Sequence, residues 1–303
     1  MPLETLPRID RSTAEWPTML LAVVIYGGWL LVTFYWQSLP LVLVVLLGGW
    51  LVAWQGSLQH EVMHGHPTRS RAVNDAIGWP PLSLWLPYRV YRLSHLRHHR
   101  DEYLTDPIED PESAYVTPER WQRLGPVARA VLKFNMTLVG RLTVGPALMI
   151  GLFLADEAKL VIAGEPGRRQ VWALHVVSVA LVLAWLVLVC AMPLWIYLAG
   201  FVYFGGALTR LRSFAEHKAA ERAEERTAIV ENGGLLGLLY LNNNLHVLHH
   251  LRPAVAWYRL PSLYRAERDA LVRHNGGLVY DGYGDILRRY FLNRHDEPPH
   301  PGM

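Results

Sequence analysis

Two long stretches of this 303-residue chain, 12–68 and 170–209, contain none of its 29 lysines and arginines. Continuous apolar runs lie inside them, and many basic residues sit close to their ends. A soluble domain spreads cations over its whole surface, whereas a chain threading a bilayer confines them to segments that stay on one side. The hydrophobic fraction of 51% and the twelve tryptophans agree with a multi-span membrane protein. The net charge of +3 is then a matter of topology and does not point to nucleic acid.

The first apolar run, Met19 to Trp36, is long enough to span. The residues before it lack the basic region and small-residue cleavage site of a secretory signal, so an uncleaved first span is expected. Gln37-Ser38-Leu39-Pro40 is a turn. A second helix from Leu41, continued to His64, is about 24 residues or roughly 36 Å long, so its end emerges from the hydrocarbon. Leu142 to Ala155 is apolar but short, with Gly145-Pro146 near its start, and reads as a re-entrant or interfacial helix. Val171 to Met192 and Leu194 to Leu208 read as a hairpin turning at Pro193. Its turn is uncharged and should face away from the cytoplasm.

The expected fold is all-α and integral to the membrane: four transmembrane helices under a helical cytosolic cap. Residues 1–18 form an N-terminal cytosolic segment. The transmembrane bundle is 19–212, including a cytosolic insertion at 65–141 and the re-entrant segment at 142–155. The cap is 213–295, with a charged helix through Glu225 and a helix from Pro261 stopping after His274 at Asn275-Gly276-Gly277. The tail, 296–303, is expected to be disordered. The single cysteine, Cys190, lies in an apolar run and excludes disulfides, redox pairs and thiolate metal sites.

Against this frame stand three histidine clusters: His60-Glu-Val-Met-His64, His95-Leu-Arg-His98-His99 and His246-Val-Leu-His249-His250. Residues three or four apart share one helix face, so each cluster aims two or three imidazoles at one point. Eight of the fourteen histidines sit in these boxes, all on the expected cytoplasmic side. Neutral imidazole suits iron, zinc, copper and nickel. Eight imidazoles without a thiolate exceed what one zinc takes, so two metals are the economical reading. Haem needs one or two axial histidines, and a zinc hydrolase three protein ligands; both leave histidines over.

His217, just past the fourth span, is a candidate ninth ligand. His66 points off the face of its box and reads as a supporting or surface residue. His175 reads as a satisfied buried histidine, and His274, His295 and His300 as solvated. Glu61 and Glu216 adjoin candidate ligands, but adjacency does not place them on the ligand's face. Asp106 and Asp110 either fix the loop after the second box and orient a ligand, or belong to an acidic surface loop. Asn242 stands one helical turn before His246, a place from which to hold a metal-bound water or a ligand, and Asn243 and Asn244 read equally as caps.

In order and type, the boxes resemble those of the membrane fatty acid desaturase superfamily, over roughly Leu41 to Tyr264. The resemblance implies a mushroom-shaped helical fold and a non-haem di-iron centre of two iron ions using O2 as co-substrate. The implied ligands are His60, His64, His95, His98, His99, His246, His249 and His250, with His217 matching an additional family histidine. Where some relatives carry an asparagine one turn before that histidine, this chain has Ser213.

The family also includes hydroxylases and ketolases of lipids or carotenoids. Arg212-Ser-Phe-Ala-Glu-His-Lys218 stands in place of the Asn-Tyr-x-x-His-Tyr-Gly element of alkane hydroxylases. His66-Pro67-Thr68-Arg69 is not the haem-binding His-Pro-Gly-Gly, so a separate electron donor of ferredoxin or cytochrome type is expected. The leading expectation is O2-dependent desaturation of a fatty acyl chain, presented as acyl-lipid or acyl thioester, in a multi-pass protein of a bacterial inner membrane. The alternative is a hydroxylase or ketolase of a lipid or carotenoid using the same residues.

Overall fold

The computed structural model describes residues 14–302, so most of the expected N-terminal segment lies outside the described residues. Among the described residues four helices are long and apolar enough to cross a membrane: Trp16–Phe34, Leu41–Met63, Arg168–Val189 and Leu194–Glu216. Their boundaries follow local chemistry. Pro17 opens the first span, Pro40 precedes the second and Pro193 the fourth, each in a place where a missing N–H costs no helical bond. At the hairpin the third span ends in π-helical winding, Trp185–Val189, the fourth takes it up at Tyr197–Tyr203 after one α-helical turn, and Ala191 between them has a φ of +49°.

The second span is the axis of the bundle, packed against the first and fourth. Its contact with the fourth is close because Gly48 and Gly49 carry no side chain. A Cβ on Gly48 would stand 2.5 Å from the Phe201 ring, and one on Gly49 would collide with Phe204. Around this contact Trp29, Val44, Leu51, Tyr197 and Phe201 form the apolar core. The polar tips inside that core are paired: Trp29 Nε1 donates to Tyr197 Oη at 3.0 Å, and Tyr197 Oη donates to the Leu82 carbonyl at 2.7 Å. Outward-facing leucines and valines of all four helices remain exposed, as a lipid-facing surface requires.

Between the second and third spans, Tyr88–His98 is the longest helix of the segment that follows the first histidine box and precedes Gly125. A continuous helix, Gly145–Ile162, runs past the expected limit at Ala155. The fourth span continues through the expected boundary at 212 to Glu216. No charged helix follows it: 218–222 is irregular, and Ala223–Arg226 is a single 3-10 turn. The helix expected from Pro261 is present as Leu260–His274.

Among the described residues one small sheet accompanies the helices. Strand β1 (Ile229–Asn232) pairs in parallel with β2 (Val279–Gly282), with Val230 opposite Tyr280. The tail expected to be disordered is instead laid against the chain over 296–302. The Val116 N–H donates to Pro298 O at 2.9 Å, and the His300 N–H donates to Val116 O at 3.0 Å. Accordingly His295 and His300, expected to be solvated, are buried at 8% and 5% exposure. Three prolines in the tail suggested a free segment, but proline also suits an extended strand docked by few bonds.

Candidate metal centre

Four separate elements bring the histidines together at one end of the bundle. His60 is in the last turn of the second span, and His64 is the residue just past its end. His95 and His98 close the helix Tyr88–His98, with His99 following it. His246, His249 and His250 share the short helix His246–Leu251. His217 follows the fourth span in extended conformation and bridges to Thr227.

The nine rings sort into two groups. His60, His64, His95, His99 and His249 have ligand atoms within 4.8 Å of one another, and so do His98, His217, His246 and His250. The groups adjoin, since the His99 and His250 rings stack with 4.4 Å between centroids. In the first group, His95 Nε2 lies 3.0 Å from His64 Nε2 and 3.0 Å from His99 Nε2, while His249 and His99 are 3.1 Å apart. In the second, His217 Nε2 lies 3.0 Å from His98 Nε2 and 2.9 Å from His246 Nε2, with His250 3.1 Å from His246.

Partners on the other ring nitrogen set the tautomers. His95 Nδ1 meets Glu112 at 3.0 Å, and His98 Nδ1 meets Asp110 at 2.8 Å. His217 Nδ1 faces the Arg226 carbonyl at 3.2 Å, and His246 Nδ1 faces the Asn243 carbonyl at 3.2 Å and Glu216 at 3.3 Å. An acceptor at Nδ1 holds the hydrogen there and leaves the Nε2 lone pair bare. Where both rings are so held, as His217 and His246 are at 2.9 Å, two bare lone pairs face each other and repel unless a cation lies between them. His60 Nε2 makes the same point, being buried without a hydrogen-bond partner.

The spacing also speaks to coordination. With metal–nitrogen bonds of about 2.1 Å, neighbouring nitrogens are about 3.0 Å apart at right angles and about 3.4 Å apart at a tetrahedral angle. The observed distances fit right angles, and five imidazoles exceed a tetrahedral zinc shell. Each group therefore fits one ion with all-nitrogen ligands, and imidazole suits iron, copper, nickel and zinc.

Electrostatics favour neutral, ligating imidazoles. Burial first, then mutual repulsion among neighbouring rings, holds His95, His217, His246, His249 and His250 well below the usual histidine range. His64 is pushed down to about 3 by burial and then His66. His98 is the exception. Burial opposes its charge, but Glu112 and the bonded Asp110 outweigh it and lift the group to about 9.

Other singled-out residues fall into place around the centre. Asp110 does orient a histidine, whereas Asp106 accepts from the Ile108 and Glu109 N–H groups and shapes the loop. Glu216 reaches His246 through its own Oε1, which also accepts from Asn243 Nδ2 at 2.7 Å and lies 3.1 Å from Arg212 Nε. Asn242 turns away to the Trp257 carbonyl. Ser213 donates to the Arg210 carbonyl of its own helix.

Glu61 does not face either group. It accepts from the Trp257 N–H at 3.0 Å and lies 3.9 Å from His66 Nε2, while His66 Nδ1 meets Glu15 at 2.9 Å. Buried Glu61 and His66 with half-buried Glu15 clamp the start of the first span to the end of the second. His175 is buried as expected and bonded to the Leu84 carbonyl, and His274 is only partly buried. Glu112 and the Arg226 carbonyl were not singled out from sequence. The only signal for Glu112 was its place in the acidic run downstream of the second box.

A bundle able to cross a membrane four times, with nine imidazoles gathered at one end, defines an integral-membrane protein with a polyhistidine centre. A sequence profile of the fatty acid desaturase family matches residues 36–282, and the chain belongs to that family. It is 24% identical over 268 residues to a probable fatty acid desaturase of Sorghum bicolor, covering 78% of this chain and 67% of that protein. Family membership marks the chain as an oxidoreductase of desaturase-like function in a lipid and acyl-chain setting.

Proposed function

We propose that this chain desaturates a fatty acyl chain with O2, at two non-haem irons held by the nine histidines. His60, His64, His95, His99 and His249 would hold one ion, and His98, His217, His246 and His250 the other. The observation that carries the reading is the convergence of nine imidazoles into two adjoining groups where membrane helices end. The chemistry two such irons supply is reductive activation of O2: two hydrogens from adjacent methylenes, two electrons and two protons convert O2 to two waters and leave a double bond.

The chain's own residues prepare that chemistry. Glu112, Asp110 and the carbonyls of Arg226 and Asn243 fix ring orientation and tautomer, so the Nε2 atoms are aimed before any metal arrives. Burial of His60, His95, His98, His246, His249 and His250 keeps bulk water off the ligands. An acyl chain dissolved in the bilayer would approach a centre that lies at the ends of the spans. The electrons would come from an external donor of ferredoxin or cytochrome type. The histidine-bearing end would face the cytoplasm, probing residues 65–141 as its arginine-rich segment, under the rule that positive segments stay inside. The helix Gly145–Ile162 would lie at the interface of that side.

Expression in a host lacking unsaturated products tests the reaction, with lipid and pigment extracts compared by mass. Loss of two hydrogens from an acyl chain is the expected result. An added oxygen in a lipid or carotenoid, with no new double bond, would instead make the chain a hydroxylase or ketolase.

A further inference from the structure

The C-terminal tail reaches the metal centre without contributing a ligand. Asp110, which orients His98, also accepts the Thr105 N–H through its second oxygen at 2.9 Å. Thr105 has a φ of +69°, a left-handed conformation that a β-branched residue resists. Such a conformation persists only where its surroundings over-determine it. All three polar groups of Thr105 are engaged: its N–H by Asp110, its carbonyl by Ser113 Oγ at 2.7 Å, and its Oγ1 by His300 Nε2 at 3.1 Å. The Gly302 N–H donates to His300 Nδ1 at 3.1 Å, so the ring hydrogen is on Nε2 and His300 is the donor to Thr105.

The tail is anchored at further points on the same side of the centre. Asp296 accepts from Tyr115 Oη at 2.7 Å, and that oxygen accepts the Ala219 N–H, two residues past His217, at 2.9 Å. Arg226, whose carbonyl faces His217 Nδ1, donates to the Leu104 carbonyl at 2.9 Å, one residue before Thr105. The tail thus bears on the supports of His98 and His217, two of the four ligands of one group. Of the five-histidine group it reaches only His95, through Glu112 on the same loop.

We infer that residues 296–302 are a strap that positions the four-histidine site, with His300 as its positioning residue acting through Thr105 and Asp110 on His98. This rests on the two-metal reading above, and one arm of its test is independent of that reading.

The test uses the full chain, purified, stripped of metal and titrated anaerobically with Fe(II) or with Co(II), whose absorption reports each site. His300→Ala and Thr105→Val should each weaken one of two metal equivalents about ten-fold or more. The double variant should be no weaker than the worse single, because both cut the same link. Unchanged binding of both equivalents, equal weakening of both, or effects that multiply would each overturn the strap. Thr105→Val changes one atom of the loop and serves alone if His300→Ala does not fold. Hydrogen exchange in the metal-free chain is the independent arm: the Thr105 amide should exchange faster in either variant, and an unchanged rate rejects the strap whether or not the wild type binds metal.

Discussion

His98 and Asp110 meet Nδ1 to Oδ1 at 2.8 Å, with both residues buried. The bond fixes which nitrogen of His98 faces His217, and it does so from a loop rather than from a membrane helix. Asp110→Ala should lower metal affinity by about 10–100-fold. Asp110→Asn, which keeps an accepting oxygen, should lose less. Iron per chain after dialysis against a fixed chelator concentration separates the two, and equal losses would deny that the accepting oxygen matters.

His217 and His66 offer a contrast between a half-buried and a buried histidine. His217 belongs to the four-histidine group, whereas His66 is held between Glu15 and Glu61. His217→Ala should cost about one iron per chain. His66→Ala should keep both irons and show instead as a lower melting temperature, by about 1–3 kcal/mol of lost buried hydrogen bonding. Metal analysis beside a thermal melt reads both outcomes, and a loss of iron from the His66 variant alone would reverse the assignment.

Much of this site was legible in the chain. The gaps in lysine and arginine gave the spans, and the spacing of histidines gave eight of the nine rings that converge and the place of the ninth, His217. Those signals are local, one helical face at a time. What sets the tautomers is not local: Glu112 lies 17 residues from His95, and Asp110 lies 12 from His98. Both sit in an acidic, proline-broken loop whose composition is equally that of a surface. His300 was read as solvated for the same reason, since its burial depends on Thr105, 195 residues away. Asn243 rather than Asn242 supports His246 because Asn242 adopts a φ of +57° and turns aside.

Gly48 lets the second span close on the fourth, which carries the chain to His217. Gly48→Leu would drive a side chain into the Phe201 ring and should cost about 1–3 kcal/mol by overpacking. Thermal denaturation in a fixed detergent measures the cost. Wild-type stability in this variant would show that the helices are less closely packed than described.

His295 is a titration probe outside the histidine groups. Burial, then Lys218 and Arg141, pushes it down to about 3, and its Nε2 meets Tyr280 Oη at 2.9 Å. An unfolded histidine protonates near pH 6.5, so between there and about pH 3 the unfolded state binds the extra proton. The stability His295 contributes is therefore whole above pH 6.5 and is lost progressively as pH falls toward 3. His295→Phe should melt lower at pH 7.5, for want of a Tyr280 partner, yet lose less stability than wild type on acidification. Parallel pH profiles for the two proteins would contradict this.

The most direct measurement is metal content of the purified chain, read together with its optical spectrum. Two adjoining all-histidine groups predict about two irons per chain, no Soret band, and stepwise loss when His60→Ala and His246→Ala remove a ligand from each group in turn. One zinc per chain, a haem spectrum, or full iron retention in both variants would contradict the two-iron centre.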